Sequence, residues 1–280
     1  MPITTTVITG ATSGIGKETA LALAKKGHAL YLLVRDMAKG EQVKQELMSA
    51  SKNTSIHLVA CDLADLNSVC NAADTLKSSL VSVNVLINNA GGVFARREES
   101  RDGFEMTFAI NHLGHFLLVQ RLMPLLERGQ ARIINVSSEG HKMGKPRFKD
   151  LQWKETPYSA SKAYGMAKLF NIYFTRSLAL KYGPKGITAF ALHPGLVSTS
   201  FGADLTGFNK TLMWLLKPFM ITPEQGAQTS IYLATAPRID AKSGKYFKAK
   251  EVAASSSLST NEKARDILWD MSTEMIEPYL

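Results

Sequence analysis

Apolar residues along this chain follow two alternating rhythms. Short, near-continuous apolar runs occupy residues 4–8, 29–34, 56–60, 83–87, 132–136 and 187–192; runs of that length, rich in Val, Ile and Leu, predict buried strands. Between them lie longer stretches with apolar residues at helical spacing, over 17–26, 38–49, 66–80, about 103–127 and about 158–182. Two more helices are predicted over 223–235 and 259–276, and Tyr246-Phe247 is a candidate last strand. Pro124 falls inside the fourth helix and predicts a kink or an early end, whereas Pro223 sits at a favourable first-turn position. Strands alternating with helices, with strands apolar throughout, predict an α/β fold: one doubly wound parallel sheet of about seven strands, helices on both faces, joined by right-handed crossovers.

Composition narrows the picture. No apolar run approaches the roughly 18 residues of a membrane span, and the N-terminus enters a strand without a basic-then-apolar leader, so a cytoplasmic protein is expected. Lys and Arg number 33 against 24 Asp and Glu, a net charge of +9. The charges are scattered, and clusters such as Arg96-Arg97 are short and interrupted, which favours a solvated surface over a nucleic-acid partner. Cys61 and Cys70 show no metal or redox spacing. His112, His115 and His193 have no carboxylate or third ligand at a metal spacing, so no metal site is expected.

The turn after the first strand carries the first chemical signal. Gly10, Gly14 and Gly16, with Ala11, Thr12, Ser13 and Ile15 between them, lie where a strand ends and a helix begins. Glycines let the backbone bend sharply and approach a ligand closely, and the helix N-terminus offers free N–H groups and a positive dipole to a phosphate. The turn therefore reads as a seat for a dinucleotide pyrophosphate. Ligands in such sheets bind at the carboxyl ends of the strands.

The glycine turn, Asp62-Leu63, the Asn88 to Gly91 stretch, Asn111, the Asn135 to Ser138 stretch, a Tyr-x-x-x-Lys, Pro194-Gly195 with Thr199, and Ser243-Gly244-Lys245-Tyr246-Phe247 occur in the order found in the short-chain dehydrogenase/reductase family. The chain resembles that family over most of its length, and the stretches around Asn111 to Phe116 and Leu192 to Gly195 most resemble its retinol dehydrogenase-like branch. The resemblance implies a single-domain Rossmann-type fold. It also implies an oxidoreductase interconverting a hydrophobic alcohol and its aldehyde or ketone by hydride transfer. Tyr164 is then the acid/base, with Lys168 lowering its pKa and holding the nicotinamide ribose. Ser138 donates a hydrogen bond to the substrate oxygen, and Asn111 holds a proton-relaying water. The same resemblance assigns Gly10, Thr12, Ser13, Gly14, Ile15, Gly16, Asp62, Leu63, Asn88, Ala90, Gly91, Pro194, Gly195, Val197 and Thr199 to the cofactor. Arg35 ends the second strand where NAD-preferring members carry an acid, which suits the 2′-phosphate of NADP; Asp36 beside it keeps NAD in play.

Two Tyr-x-x-x-Lys motifs compete, one at Tyr158 and Lys162 and one at Tyr164 and Lys168. Six residues of helix set the tyrosines roughly 120° apart, so only one can face the nicotinamide; the family's register favours Tyr164. Residues 139–157, with Met143, Phe148, Leu151 and Trp153, and residues 201–220, rich in Leu, Phe, Met and Trp, read as substrate walls, the second as a lid. Core packing and weak membrane contact are the other readings of the second segment. Family members often pair through the helices around 113–127 and 158–182, which leaves a homodimer open. A dinucleotide-binding regulator without turnover is the main alternative function, and an extended-branch epimerase or dehydratase a third.

Overall fold

The structure, a computed structural model, describes residues 3–197 and 220–280. Four strand–helix units and a fifth strand build the first part: β1 (Thr5–Thr9), α1 (Gly14–Lys25), β2 (Ala29–Val34), α2 (Met37–Ser51), β3 (Ile56–Ala60), α3 (Leu66–Ser79), β4 (Val85–Asn88), α4 (Met106–Phe108), α5 (Gly114–Arg128) and β5 (Arg132–Val136). Then follow α6 (Ala160–Tyr182), β6 (Thr188–His193), α7 (Pro223–Thr235), β7 (Tyr246–Lys248), β8 (Glu251–Val252) and α8 (Glu262–Ile276).

The sheet runs β3-β2-β1-β4-β5-β6-β7-β8. All neighbours are parallel except β8, which pairs antiparallel with β7. The parallel doubly wound architecture is the expected one; the eighth strand is additional. It is missed in the sequence because its two-residue turn, Ala249-Lys250, lacks the Gly or Asn that normally marks φ > 0 at both central positions, although φ is 50° and 68° there.

Successive strand residues serve opposite cores. Val7, Leu33, Leu86 and Ile133 face α3, α5 and α6, while Ile8, Leu32, Ile87 and Ile134 face α1, α2 and α7. Helix α8 lies outside α5 and α6. Its Trp269 sits against Phe116 at 5.0 Å and Phe174 at 6.2 Å between ring centroids, and its Ser272 hydroxyl meets His112 Nε2 at 2.9 Å.

Two helix expectations need correction. The predicted helix over 103–127 divides into α4, a π-helical stretch Ala109–Leu113, and α5. Asn111 Nδ2 donates to the Thr107 carbonyl at 2.8 Å, taking the acceptor that the residue's own N–H would use in an α-helix. Pro124 does not end α5, which runs on to Arg128. Thr222 and Pro223 open α7 with a capping box, Gln225 N donating to Thr222 Oγ1 and Gln225 Oε1 accepting from Thr222 N. Among the described residues no helix is long and apolar enough to cross a membrane.

Candidate active site

The chain reverses its direction of winding between β1 and β4, and this opens a crevice at their carboxyl ends. The glycine turn forms one wall. Gly10 and Gly14 have φ of 69° and 53°, and a Cβ on Gly16 would lie 2.1 Å from the Gly10 carbonyl oxygen, so both backbone shape and close approach require glycine. Helices α2 and α3 are capped by Asp36 and Asp65, but α1 has neither a capping side-chain bond at Ser13 nor an acid in its first turn. Its N–H groups and dipole are left for an anion. Thr12, Ser13 and Ile15 lie on this partly exposed turn.

Asn89 is a structural residue of this wall that sequence reasoning passed over. Its Nδ2 donates to the Thr9 and Gly10 carbonyls at 2.9 and 3.0 Å, pinning the turn to the loop after β4. Thr9 Oγ1 in turn accepts the N–H groups of Asn89 and Ala90, each at 3.0 Å. The neighbouring Asn88 is buried, its Nδ2 donating to Asn135 Oδ1 at 2.8 Å; it supports the crevice from inside the sheet. Asp62 Oδ1 accepts the Ala64 N–H at 2.9 Å, and Leu63 packs under Gly114. Arg35 is exposed at the end of β2, whereas Asp36 is engaged in accepting the Lys39 N–H at 3.0 Å.

On the other side, Gly195 has φ of 101° and lies against Ile221, and Val197 bridges to Ile221 while its side chain fills the space above Gly226. Pro194 is half-buried. Thr199 and the proposed lid, apart from Met220, lie outside the described residues.

Asn111, Ser138, Tyr164 and Lys168 converge at the floor of the crevice. Ser138 follows β5, and its side chain is hydrogen-bonded to the Tyr164 hydroxyl. Lys168 Nζ stands 5.5 Å from the Tyr164 ring centre and donates to the Val136 carbonyl at 3.1 Å. A Cβ on Gly91 would lie 2.5 Å from Asn111 Oδ1 and 3.2 Å from Lys168 Nζ, so these two polar atoms flank the same bare stretch of backbone. Asn111 Nδ2 is satisfied by Thr107 and Gly92, but its buried Oδ1 has no hydrogen-bond partner among the described residues, and a buried acceptor of this kind suits a ligand or water.

Glycines set this geometry in a way the sequence signalled only weakly. The 3-10 turn Glu139–Met143 lies directly on α6: a Cβ on Gly144 would come within 2.3 Å of the Gly165 carbonyl oxygen. That contact brings Ser138 to Tyr164. The rival Tyr158 is placed elsewhere, its hydroxyl donating to the buried carboxylate of Glu105 at 3.0 Å and meeting Thr107 Oγ1 at 2.9 Å, while Lys162 is exposed.

Burial governs the two ionisable groups of the floor. It pushes the Tyr164 phenol up to about 12, against a lowering by the Ser138 hydrogen bond, and the Lys168 ammonium down to about 7. The expected lowering of Tyr164 by Lys168 is thus outweighed by burial without cofactor, and burial also drives Lys168 toward neutrality. The substrate wall expected over 139–157 is also corrected. Leu151 and Trp153 are buried in the core and Phe148 stacks on Phe170 at 6.1 Å, held there by Asp150, which accepts the N–H groups of Lys154, Glu155 and Thr156. Only Met143 of that group is exposed. The histidines His112, His115 and His193 are buried, as expected of core residues, and among the described residues no cluster of His, Cys, Asp or Glu could hold a metal.

The pattern of the short chain dehydrogenase family matches residues 4–209. Retinol dehydrogenase 12 of Mus musculus is 40% identical over 272 residues, covering 96% of this chain and 85% of that protein. Retinol dehydrogenase 11 of Homo sapiens is 39% identical over 277 residues, 99% of this chain and 86% of that protein. Among solved structures, an uncharacterized protein from Mycobacterium paratuberculosis superposes with a TM-score of 0.79 at 29% identity, covering 98% of this chain and 93% of the other. A 3-ketoacyl-(acyl-carrier-protein) reductase from Brucella melitensis, complexed with NADH, shares the fold at a TM-score of 0.65 and 23% identity, covering 83% of this chain and 91% of the other.

Proposed function

Since the chain belongs to the short-chain dehydrogenase family, in its retinol dehydrogenase-like branch, and is an oxidoreductase of CH–OH groups using a nicotinamide dinucleotide, we propose that it is NADP(H)-dependent. We further propose that it interconverts a hydrophobic alcohol with its aldehyde or ketone. The observation that carries this reading is the convergence of the Ser138–Tyr164 hydrogen bond, the buried Lys168 amine and, beside Gly91, an Asn111 Oδ1 that has no partner among the described residues. The uncapped α1, the glycine turn and the bare backbone at Gly91 fit a dinucleotide, whose nicotinamide supplies or accepts the hydride when bound.

The chain's own residues handle the proton. Ser138 Oγ donates to the substrate oxygen, and Tyr164 gives that oxygen a proton in reduction or takes one in oxidation. Burial keeps the Tyr164 phenol protonated at neutral pH before cofactor binds, the form that donates when a carbonyl is reduced. Asn111 Oδ1 holds a water beside Lys168, through which the proton is replaced.

Arg35 at the end of β2 supports the 2′-phosphate, since a guanidinium there is free to pair with it while Asp36 is occupied as a helix cap. The apolar side chains of 201–220 and the names of the retinol dehydrogenase relatives support a lipophilic substrate. The test is consumption of NADPH and NADH with aldehydes from propanal to decanal and with all-trans-retinal. Catalytic efficiency should rise with chain length, at up to about 0.8 kcal/mol per buried methylene, and Arg35→Ala should weaken NADPH binding selectively. A flat series refutes the apolar substrate, equal use of NADH and NADPH refutes the phosphate reading, and no turnover at all favours a dinucleotide-binding regulator.

A further inference from the structure

The turn that follows Ser138 contains a histidine that the chemistry above does not use. His141 is fully buried, and both of its ring nitrogens are engaged. Nδ1 lies 2.6 Å from the Ser138 carbonyl oxygen, and Nε2 accepts the backbone N–H of Ser256 at 3.0 Å. A backbone N–H can only donate, so Nε2 carries no proton and the ring's single proton sits on Nδ1, donated to Ser138. Burial keeps the ring below its ordinary pKa, in keeping with a neutral imidazole. Neither an ammonium nor a carboxylate offers a donor on one edge and an acceptor on the other.

Each end of this bridge has a reason to be tied. Ser138 leads into Gly140, where the backbone has more freedom than at any other residue type, and the position of its Oγ relative to Tyr164 depends on that peptide. Ser256 begins the turn Ser257–Thr260, which is itself held to α6 by the Tyr173 hydroxyl donating to the Leu258 carbonyl at 2.6 Å. Helix α6 also carries Tyr164 and Lys168. The imidazole therefore closes a loop: from Ser138 through His141 to Ser256, through Leu258 and Tyr173 into α6, and along α6 back to Tyr164.

We propose that His141 is a positioning residue, which ties the Ser138 peptide to the segment around Ser256 and thereby fixes the approach of Ser138 Oγ to Tyr164 and the substrate oxygen. The proposal rests on the role given to Ser138 in the preceding section. It makes a stretch more than a hundred residues downstream a structural partner of the catalytic serine.

Ser256→Pro tests it with little collateral change. Ser256 has φ of −60°, already the value proline imposes, so the substitution chiefly deletes the N–H that His141 accepts. With decanal and NADPH, kcat should fall roughly 10- to 100-fold, the scale of a small misplacement of a reacting group, while the affinity for NADPH stays at the wild-type value. His141→Ala should show the same loss, and the double variant no more than either alone. Thr260→Ala, which loosens the same turn by removing the bond from Thr260 Oγ1 to the Ser257 carbonyl but leaves the Ser256 N–H, should keep wild-type kcat. Wild-type kcat in Ser256→Pro, multiplying losses in the double variant, or an equal loss in Thr260→Ala would each overturn the tie. Should Ser256→Pro fail to fold, His141→Asn replaces it: its amide can hold Ser138 but stops short of Ser256, so recovery of full kcat there also overturns it. An activity-independent arm is the 15N spectrum of labelled histidine. A wild-type His141 protonated at Nδ1 alone, losing that fixed tautomer in Ser256→Pro, supports the tie; a charged or Nε2-protonated ring in the wild type overturns it. If the wild type turns over no aldehyde, the reaction proposed above fails, and the spectrum judges the tie by itself.

Discussion

Lys168 is held in a place that charge dislikes, and replacing it should make the cofactor-free protein more stable while removing its activity. The side chain is 3% exposed, and burial lowers its pKa from 10.5 to about 7. At about 1.4 kcal/mol per pKa unit that gap is on the order of 5 kcal/mol. The sign follows from proton counting. Between pH 7 and 10.5 the unfolded chain keeps the proton that the folded chain has lost, so stability rises with pH across that window, and below pH 7 the full cost of the buried charge is present. Lys168→Met removes the charge and keeps a flexible apolar chain of similar length. The Val136 carbonyl is not orphaned, because Asn171 Nδ2 also donates to it at 3.1 Å. If about half of the cost survives local relaxation, the gain at pH 7 is roughly 2–3 kcal/mol, a rise in Tm of about 5 °C for a chain of this size. Differential scanning calorimetry of both proteins without cofactor at pH 6, 7.5 and 9 measures it. The two Tm values should converge as pH rises, and turnover should be lost in the variant at every pH. A variant less stable at pH 6 and 7.5, or a difference that does not shrink toward pH 9, would refute the reasoning.

Three further substitutions separate roles within the floor and walls of the crevice. Tyr164→Phe should lose nearly all turnover yet bind NADPH, whereas Tyr158→Phe should keep most turnover and lose about 1–2 kcal/mol of stability, because the buried Glu105 carboxylate forfeits a donor; kinetics and thermal melts on both variants check this, and the opposite pattern moves the catalytic role to Tyr158. Gly16→Ala should abolish dinucleotide binding or folding, since its Cβ would meet the Gly10 carbonyl oxygen and Asn89 Nδ2; a calorimetric titration showing wild-type affinity would contradict the close approach.

Elements whose residues obey one period were readable from the chain. The parallel strands and the helices α1, α2, α3 and α6 follow from runs and spacings that nothing in the tertiary structure overrides. The glycine turn was legible because its glycines fall where a strand ends and a helix begins, whereas the four floor residues were named through the family resemblance, from the order of their motifs along the chain. What escaped was set by contacts between distant parts. The π-helical stretch depends on a side-chain amide replacing a backbone donor at Thr107. The inward turn of Leu151 and Trp153 depends on Asp150 gathering three N–H groups, and an apolar loop without that contact reads equally well as a wall. The pKa of Lys168 could not be read at all, since burial rather than a neighbouring residue determines it.

Helix α8 bears on how the protein is made. Phe116 and Phe174 present aromatic faces that Trp269 covers, and α8 begins eighty residues after α6 ends. Until the ribosome has released α8, the growing chain displays that aromatic surface with its sheet and long helices already emerged. Such surface is what chaperones hold and what aggregates form around. A chain cut short before Glu262 would therefore carry every residue of the crevice but keep the adhesive surface of a nascent chain, so quality control would recognise it by its bare helices rather than by its active site.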